Sequence, residues 1–248
     1  MESKNIITII CAPRTGSNYF CEILNQYINI CSNHELFNKI ECFINKKYKY
    51  IINTELLELR KIDPLMFFNK IISEMKEPII SHKMLLDQCK DIKLIDSIIK
   101  QSKFIIFLHR NPIDQYISLL KAYKSTKWII ADTTNIKIRF DISEYNNNEK
   151  IANSMYVNIK DICISNSIKF IQIYYEYFHK MNQKDQVEYL SLILTNYIDI
   201  DIIIKNNYYN IFKKQDLSKS YADKIENYEE VKDFIENELT NYSVKTTS

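Results

Sequence analysis

The chain has 248 residues, 46% hydrophobic and 26% charged, which predicts one sizeable globular domain and excludes a disordered chain. Its net charge of +2 excludes a general basic field for nucleic acid or a membrane surface, so any anion site must be built locally from a few cations. Six cysteines without CxxC or metal-ligand spacing predict free thiols in a reducing compartment, and no apolar run is long enough for a membrane span. The sequence thus favours a cytoplasmic protein.

The single glycine of the chain, Gly16, lies in the segment CAPRTGSNYF. The apolar run at 6–11, which precedes it, has the pattern of a strand covered on both faces. From Ser17 onwards, apolar residues recur at spacings of three and four, as in a helix with one apolar face. Glycine permits a positive φ and close approach of a ligand, and a helix N-terminus attracts anions. The turn at 13–18 therefore predicts a phosphate site, with an ordinary tight turn as the alternative.

Three further apolar runs, at 79–86, 104–109 and 170–178, predict buried strands with helical patterns between them. This alternation predicts an α/β fold with three α/β/α layers around a central, mainly parallel sheet. Residues 141–150 have the composition of an exposed loop, and residues 1–241 are expected to form one domain, followed by a frayed tail at 242–248.

Helix start signals mark two places in the chain. Asn111 and Pro112 suit an N-cap and a first helical position, so the strand before them is expected to end at Arg110. Asn227, with Glu230 three residues later, predicts a capping box.

Arg110 is expected at the carboxyl end of a strand, where open parallel sheets bind their ligands. Ser118 lies about two turns into the next helix, so its hydroxyl can face back towards that end. Together with Arg14 in the first turn, these residues predict a ligand with two separated anionic groups. Taken alone, Arg110 is more often a surface ion-pair partner.

Several segments together resemble one enzyme family: CAPRTGSNYF, NHELF at 33–37, SHKML at 81–85 and FLHRNPIDQYISL from 107. They are similar to sulfotransferases that use 3′-phosphoadenosine-5′-phosphosulfate (PAPS), and most similar to the bacterial-type carbohydrate branch. IYYEYF at 173–178 and the segment at 213–236 support the resemblance. It implies a P-loop-nucleotide-hydrolase-like fold and metal-free transfer of a sulfuryl group from PAPS to a carbohydrate or small-molecule hydroxyl, with PAP as the product; a homodimer is also possible.

The resemblance implies that ten residues bind the nucleotide: Arg14, Thr15, Gly16, Ser17, Asn18, Tyr19, Arg110, Ser118, Lys213 and Lys214. The loop amides would hold the 5′-phosphosulfate, with Arg14 reaching the phosphate and the transferring group. Arg110 and Ser118 would hold the 3′-phosphate, Tyr19 would stack on adenine, and Lys213 or Lys214 would close over the phosphates. Because Arg keeps its proton, Arg14 would stabilise charge rather than protonate the leaving group.

The acceptor hydroxyl also needs a base. Glu35 is the first choice, since the resembling carbohydrate enzymes have a Glu after the first helix, and a buried carboxylate with a raised pKa can accept a proton near neutrality. His82 is the competing base, as in other branches of the family. His82 and Lys83 must face opposite sides of their strand, so only one can serve the site. Lys83 is favoured as a catalytic cation and His82 as a structural residue.

Two other functions compete with a sulfotransferase. One is a non-catalytic protein that binds PAP or PAPS on the same fold. The other is a nucleotide kinase, but the phosphate loop GxxxxGK[ST] is not matched, because no Lys follows Gly16. The acceptor itself is not determined by these residues.

Overall fold

The computed structural model describes residues 4–88, 91–128, 132–198, 201, 203–205, 216, 218 and 220–247. Its strands are β1 (Asn5–Cys11), β2 (Ile30–Glu35), β3 (Ile79–Leu85), β4 (Ser102–His109) and β5 (Phe170–Tyr174). They form one sheet in the order β2-β3-β1-β4-β5, and every pair of neighbouring strands is parallel. All five carboxyl ends therefore meet at one edge of the sheet.

The helices are α1 (Ser17–Leu24), α2 (Thr54–Ile62), α3 (Pro64–Glu74), α4 (Ile92–Gln101), α5 (Pro112–Ser125), α6 (Ile142–Ser165), α7 (Tyr175–Lys180), α8 (Gln183–Tyr197) and α9 (Tyr228–Thr247). Short 3-10 turns occupy Lys46–Ile51 and Leu86–Gln88. One apolar cluster joins the sheet to α2, α3, α4 and α6, and a second joins it to α1, α7 and α8. Helices thus cover both faces, which confirms the predicted α/β fold class with a parallel central sheet.

A third apolar cluster joins α5, the start of α6 and α9. Asn111 caps α5 as predicted, because its Oδ1 accepts hydrogen bonds from the amides of Ile113 and Asp114. None of the helices within the described ranges has both the length and the apolar character needed to cross a bilayer.

The sequence predicted an exposed loop at 141–150, and this prediction is wrong. The segment forms the N-cap and the first turns of α6. Asp141 caps this helix by accepting a hydrogen bond from the Glu144 amide at 2.9 Å. Tyr145 is buried in the third apolar cluster and holds these turns against α9. The polar residues around Asn146 therefore lie on the solvent-exposed face of α6, and Tyr145 is the buried residue that packs these turns into the apolar cluster.

The sequence also predicted a strand over 170–178. The prediction is wrong beyond Tyr174, where β5 ends and α7 begins at Tyr175. Aromatic residues suit a buried strand and a buried helix equally, so a short run of them does not fix the boundary. The turn into α7 places Tyr175 beside the loop after β1, as described below. β4 ends at His109, one residue before the expected Arg110.

Asn227 does not form the predicted capping box, although a helix does begin directly after it. Its side chain pairs with the backbone of Phe140, accepting from the amide at 2.9 Å and donating to the carbonyl at 3.0 Å. This pair fastens the start of α9 to the chain ahead of α6. Helix α9 continues to Thr247, and Tyr242, where fraying was expected, donates a hydrogen bond to Glu176.

Candidate anion-binding site

The loop between β1 and α1 has the geometry of an anion-binding turn. Arg14 and Gly16 have positive φ values of 68° and 79°, and the hydroxyl of Thr15 donates to the Ala12 carbonyl at 3.0 Å to tighten the turn. Gly16 is the N-cap residue of α1, and no side chain in the described part of the chain caps this helix. The N–H groups of the first turn, which begins at Ser17, therefore donate to no N-cap side chain among the described residues and are placed to bind an anion.

Gly16 is needed for a reason that the sequence did not reveal. A Cβ at this position would lie 2.4 Å from Cε2 of Tyr175, the first residue of α7. The sequence indicated a ligand as the group that requires glycine here, whereas in the structure the aromatic ring occupies the space where a Cβ would be. The same ring lies 4.9 Å from the guanidinium of Arg110 and stacks on His179.

Arg14, Arg110 and Ser118 meet on one side of this loop. The Nε of Arg14 donates to the Ser118 hydroxyl at 3.1 Å, and a terminal nitrogen of Arg110 donates to the Arg14 carbonyl at 2.8 Å. Burial lowers the pKa of Arg14, and the charge of Arg110 lowers it further. The buried Nε of Arg110 has no hydrogen-bond partner among the described residues. Two guanidinium groups that repel each other, with a donor unused, form a site that an anion would stabilise.

On the other side of the loop, Glu35 and Lys83 form an ion pair of 2.9 Å. β2 was not predicted from the sequence, and its pairing with β3 is irregular between Ser32 and Glu35. Ser32 pairs with Ser81 and Glu35 pairs with Lys83, so β2 advances by three residues where β3 advances by two. Because of this bulge, Glu35 rather than His34 lies beside Lys83. The bulge therefore determines which side chain of β2 reaches the carboxyl edge.

The raised pKa predicted for Glu35 is wrong. Burial alone would raise it, but the charge of Lys83 and hydrogen bonds from Asn38 and Gln88 outweigh burial, so the pKa of Glu35 is lowered. Asn38 and Gln88 each donate to Oε2 at 2.8 Å, while Lys83 lies at Oε1. Glu35 is thus a carboxylate at neutral pH, with both oxygens already bound. Sequence reasoning missed Asn38 and Gln88, which lie just after the NHELF and SHKML segments and match no motif of their own.

His82 lies in the interior, on the face of β3 opposite Lys83. It is fully buried, its Nε2 lies 2.8 Å from the Thr8 hydroxyl, and its ring packs 4.7 Å from that of Phe68. Burial lowers the pKa of His82 to about 3, so the ring is neutral. The structure gives it no access to the carboxyl edge of the sheet.

The ring of Tyr19 lies on the α7 and α8 side of the loop. Its hydroxyl donates to Gln186 at 2.6 Å, and its ring meets His179 edge to face. Tyr19, Tyr175 and His179 thus form an aromatic group next to Gly16. Adenine stacking on Tyr19 stays a prediction. Lys213 and Lys214, the predicted closing cations, lie outside the described residues.

The protein has an α/β fold in which the loop between the first strand and the first helix has the geometry of an anion-binding turn, with Lys83 of β3 on one side and Arg110, directly after β4, on the other. In the described part of the chain, no group of three His, Cys, Asp or Glu side chains has a metal-binding arrangement.

Among solved structures, the chain is similar to a sulfotransferase domain from the olefin synthase of Synechococcus PCC 7002. The two are 16% identical with a TM-score of 0.40, and the match covers 81% of this chain and 76% of that chain. No protein-family model matches the sequence, and no curated protein matches it significantly.

Proposed function

We propose that this protein is a cytoplasmic sulfotransferase that moves a sulfuryl group from PAPS to a hydroxyl of a carbohydrate or small-molecule acceptor. The observation that carries the proposal is the pair of cationic groups on either side of one uncapped helix start: Arg14 with Arg110 on one side, and Lys83 on the other. A nucleotide with phosphates at both its 3′ and 5′ positions matches two such groups around one loop.

In this proposal, Arg110 and Ser118 bind the 3′-phosphate, as the resemblance implies. Arg14 already contacts Ser118, so we place its side chain with them rather than at the transferring group. The backbone amides of 15–18 receive the 5′-phosphosulfate, and the aromatic group beside Gly16 offers a surface for adenine. Lys83 is then the cation nearest to the transferring sulfuryl group.

The chemistry is an in-line displacement at sulfur. The acceptor oxygen forms a bond to sulfur, the bond from sulfur to the 5′-phosphate oxygen breaks, and PAP leaves with the extra negative charge. Lys83 and the loop amides stabilise that charge. The acceptor proton passes to Glu35. A carboxylate with a lowered pKa is a weak base. In a loose transition state, however, the acceptor hydroxyl becomes acidic only as its bond to sulfur forms. A weak base placed next to the hydroxyl is therefore sufficient.

The test is transfer of radiolabelled sulfate from PAPS to a panel of sugars and small alcohols, with products separated by chromatography. The proposal expects at least one acceptor to be labelled, in a reaction that a chelator does not inhibit. PAP binding without transfer to any acceptor class would instead identify a non-catalytic nucleotide-binding protein. Transfer of phosphate from ATP would contradict both.

A further inference from the structure

The side chain of Asn18, in the first turn of α1, lies between two cationic side chains. Its Oδ1 accepts a hydrogen bond from the ammonium of Lys83 and lies 3.2 Å from Nδ1 of His34. An ammonium can only donate, so the Asn18 atom that faces Lys83 is the carbonyl oxygen and not the amide nitrogen. Lys83 therefore fixes which way round the amide sits.

The same contacts determine the protonation state of His34. Its Nδ1 faces the Asn18 oxygen, and its Nε2 lies 2.9 Å from a carboxylate oxygen of Glu22. Both nitrogens face acceptors, so both must carry hydrogen, as only the imidazolium allows. Burial lowers the pKa of His34, but hydrogen bonds to Cys21 and Glu22 outweigh burial and the repulsion from Lys83, raising it to about 9.

With its oxygen held by two donors, Asn18 directs its Nδ2 away from both His34 and Lys83. This nitrogen makes no hydrogen bond to any of the described residues. Asn18 is the second residue of α1, within the turn where the first N–H groups converge, and it is half-buried. An amide N–H₂ of fixed orientation at this point is an additional donor for the anion that the loop binds.

We propose that Asn18 binds the 5′-phosphosulfate through its side-chain amide and that His34 is the positioning residue that holds this amide in place. His34 acts through Asn18 and does not touch the ligand itself, while Glu22 keeps the imidazole charged and oriented. This inference rests on the proposed function, because it assigns the fixed donor to that function's nucleotide.

Two substitutions of His34 separate this role from a merely structural one. In His34→Asn, the amide nitrogen occupies the position of Nδ1 and retains a donor towards Asn18, while the contact with Glu22 is lost. In His34→Gln, the amide nitrogen reaches the position of Nε2 and retains the contact with Glu22, while the donor towards Asn18 is lost. Both variants remove the charge of the imidazolium, so they serve as matched controls for each other.

The experiment measures the dissociation constant of PAPS by calorimetry for wild type, both His34 variants, Asn18→Ala and the double variant Asn18→Ala/His34→Gln, with thermal unfolding as the check on folding. We expect His34→Gln and Asn18→Ala each to weaken binding about tenfold, and His34→Asn to weaken it less than about threefold. In the double variant, His34→Gln should add no further loss.

Equal weakening in His34→Asn and His34→Gln would overturn the inference, as would a full additional loss in the double variant. Absence of PAPS binding by folded wild-type protein would instead refute the proposed function. An independent readout is the ¹⁵N spectrum of the His34 imidazole in the free protein. Two protonated nitrogens at neutral pH support the assigned state, and a neutral imidazole contradicts it.

Discussion

The Nζ of Lys83 lies 2.9 Å from Oε1 of Glu35 in the neighbouring strand, and the side chains are only 2% and 15% exposed. In the proposed function, this ion pair joins the cation placed nearest to the sulfuryl donor with the acceptor base. Substitution of either residue leaves the charge of the other without its partner, so ligand binding, catalysis and stability must be measured together for each variant.

Glu35→Gln removes the proposed proton acceptor while keeping the shape of the side chain. We expect the turnover number to fall roughly 10²- to 10⁴-fold while the PAP dissociation constant changes less than about twofold. Loss of the charge opposite buried Lys83 should lower the free energy of unfolding by about 1–3 kcal/mol. Glu77→Gln is the control, because Glu77 pairs with exposed Lys47 and takes no part in the site. Unchanged turnover in Glu35→Gln refutes the assignment of the base.

Gly16→Ala tests the contact between Gly16 and Tyr175. A positive φ at a non-glycine residue costs about 1–2 kcal/mol, and the clash of the Cβ with the ring adds to this. Chemical denaturation should show a smaller loss of stability for Gly16→Ala in a Tyr175→Ala background than in wild type, because only the backbone cost remains. Equal losses in the two backgrounds would mean that the ring does not restrict this position.

Arg110→Ala removes a guanidinium from the proposed 3′-phosphate site. A charge-assisted hydrogen bond contributes roughly 1.5–3 kcal/mol, so PAP affinity should fall about 10- to 150-fold. The matched control is Arg139→Ala, since Arg139 forms an exposed ion pair with Glu230. Calorimetry should find PAP affinity unchanged in the control. Equal effects of the two substitutions would show that only general charge matters.

His34 makes stability depend on pH. Its pKa is raised from 6.5 to about 9 in the folded chain, so its stabilising contribution is complete below pH 6.5 and is lost as the pH rises through 9. We expect the free energy of unfolding to fall by about 1–3 kcal/mol between pH 6 and 9, and by much less in His34→Gln. Comparison of the two proteins cancels contributions from other groups. Parallel curves would show that His34 is not protonated in the fold.

The parts of the fold that the sequence predicted correctly have strong local signals. The run that forms β1 is continuous and rich in β-branched residues. Asn111 and Pro112 start α5 because Asn is a preferred N-cap residue and Pro has a fixed φ that suits the first helical position. The opposite orientations of His82 and Lys83 follow from the period of a strand. Each of these inferences needed only the residue and its immediate neighbours.

The failures depend on partners that are distant in the chain. β2 contains the buried polar residues Ser32 and Asn33, and the side chain of each is hydrogen-bonded to Ser81 of β3. The lowered pKa of Glu35 required Lys83 to lie beside it, and that register depends on a bulge. The contact of Tyr175 with Gly16 joins residues 159 positions apart, and no periodicity could have shown it.

The most direct test of the account is a calorimetric titration of the folded protein with PAP and, in parallel, with adenosine 5′-monophosphate. If Arg14, Arg110 and Ser118 bind a 3′-phosphate, PAP should bind at least about tenfold more tightly than the monophosphate, and Arg110→Ala should largely remove the difference. No measurable affinity for PAP, or equal affinity for the two nucleotides in wild type, would contradict the central claim.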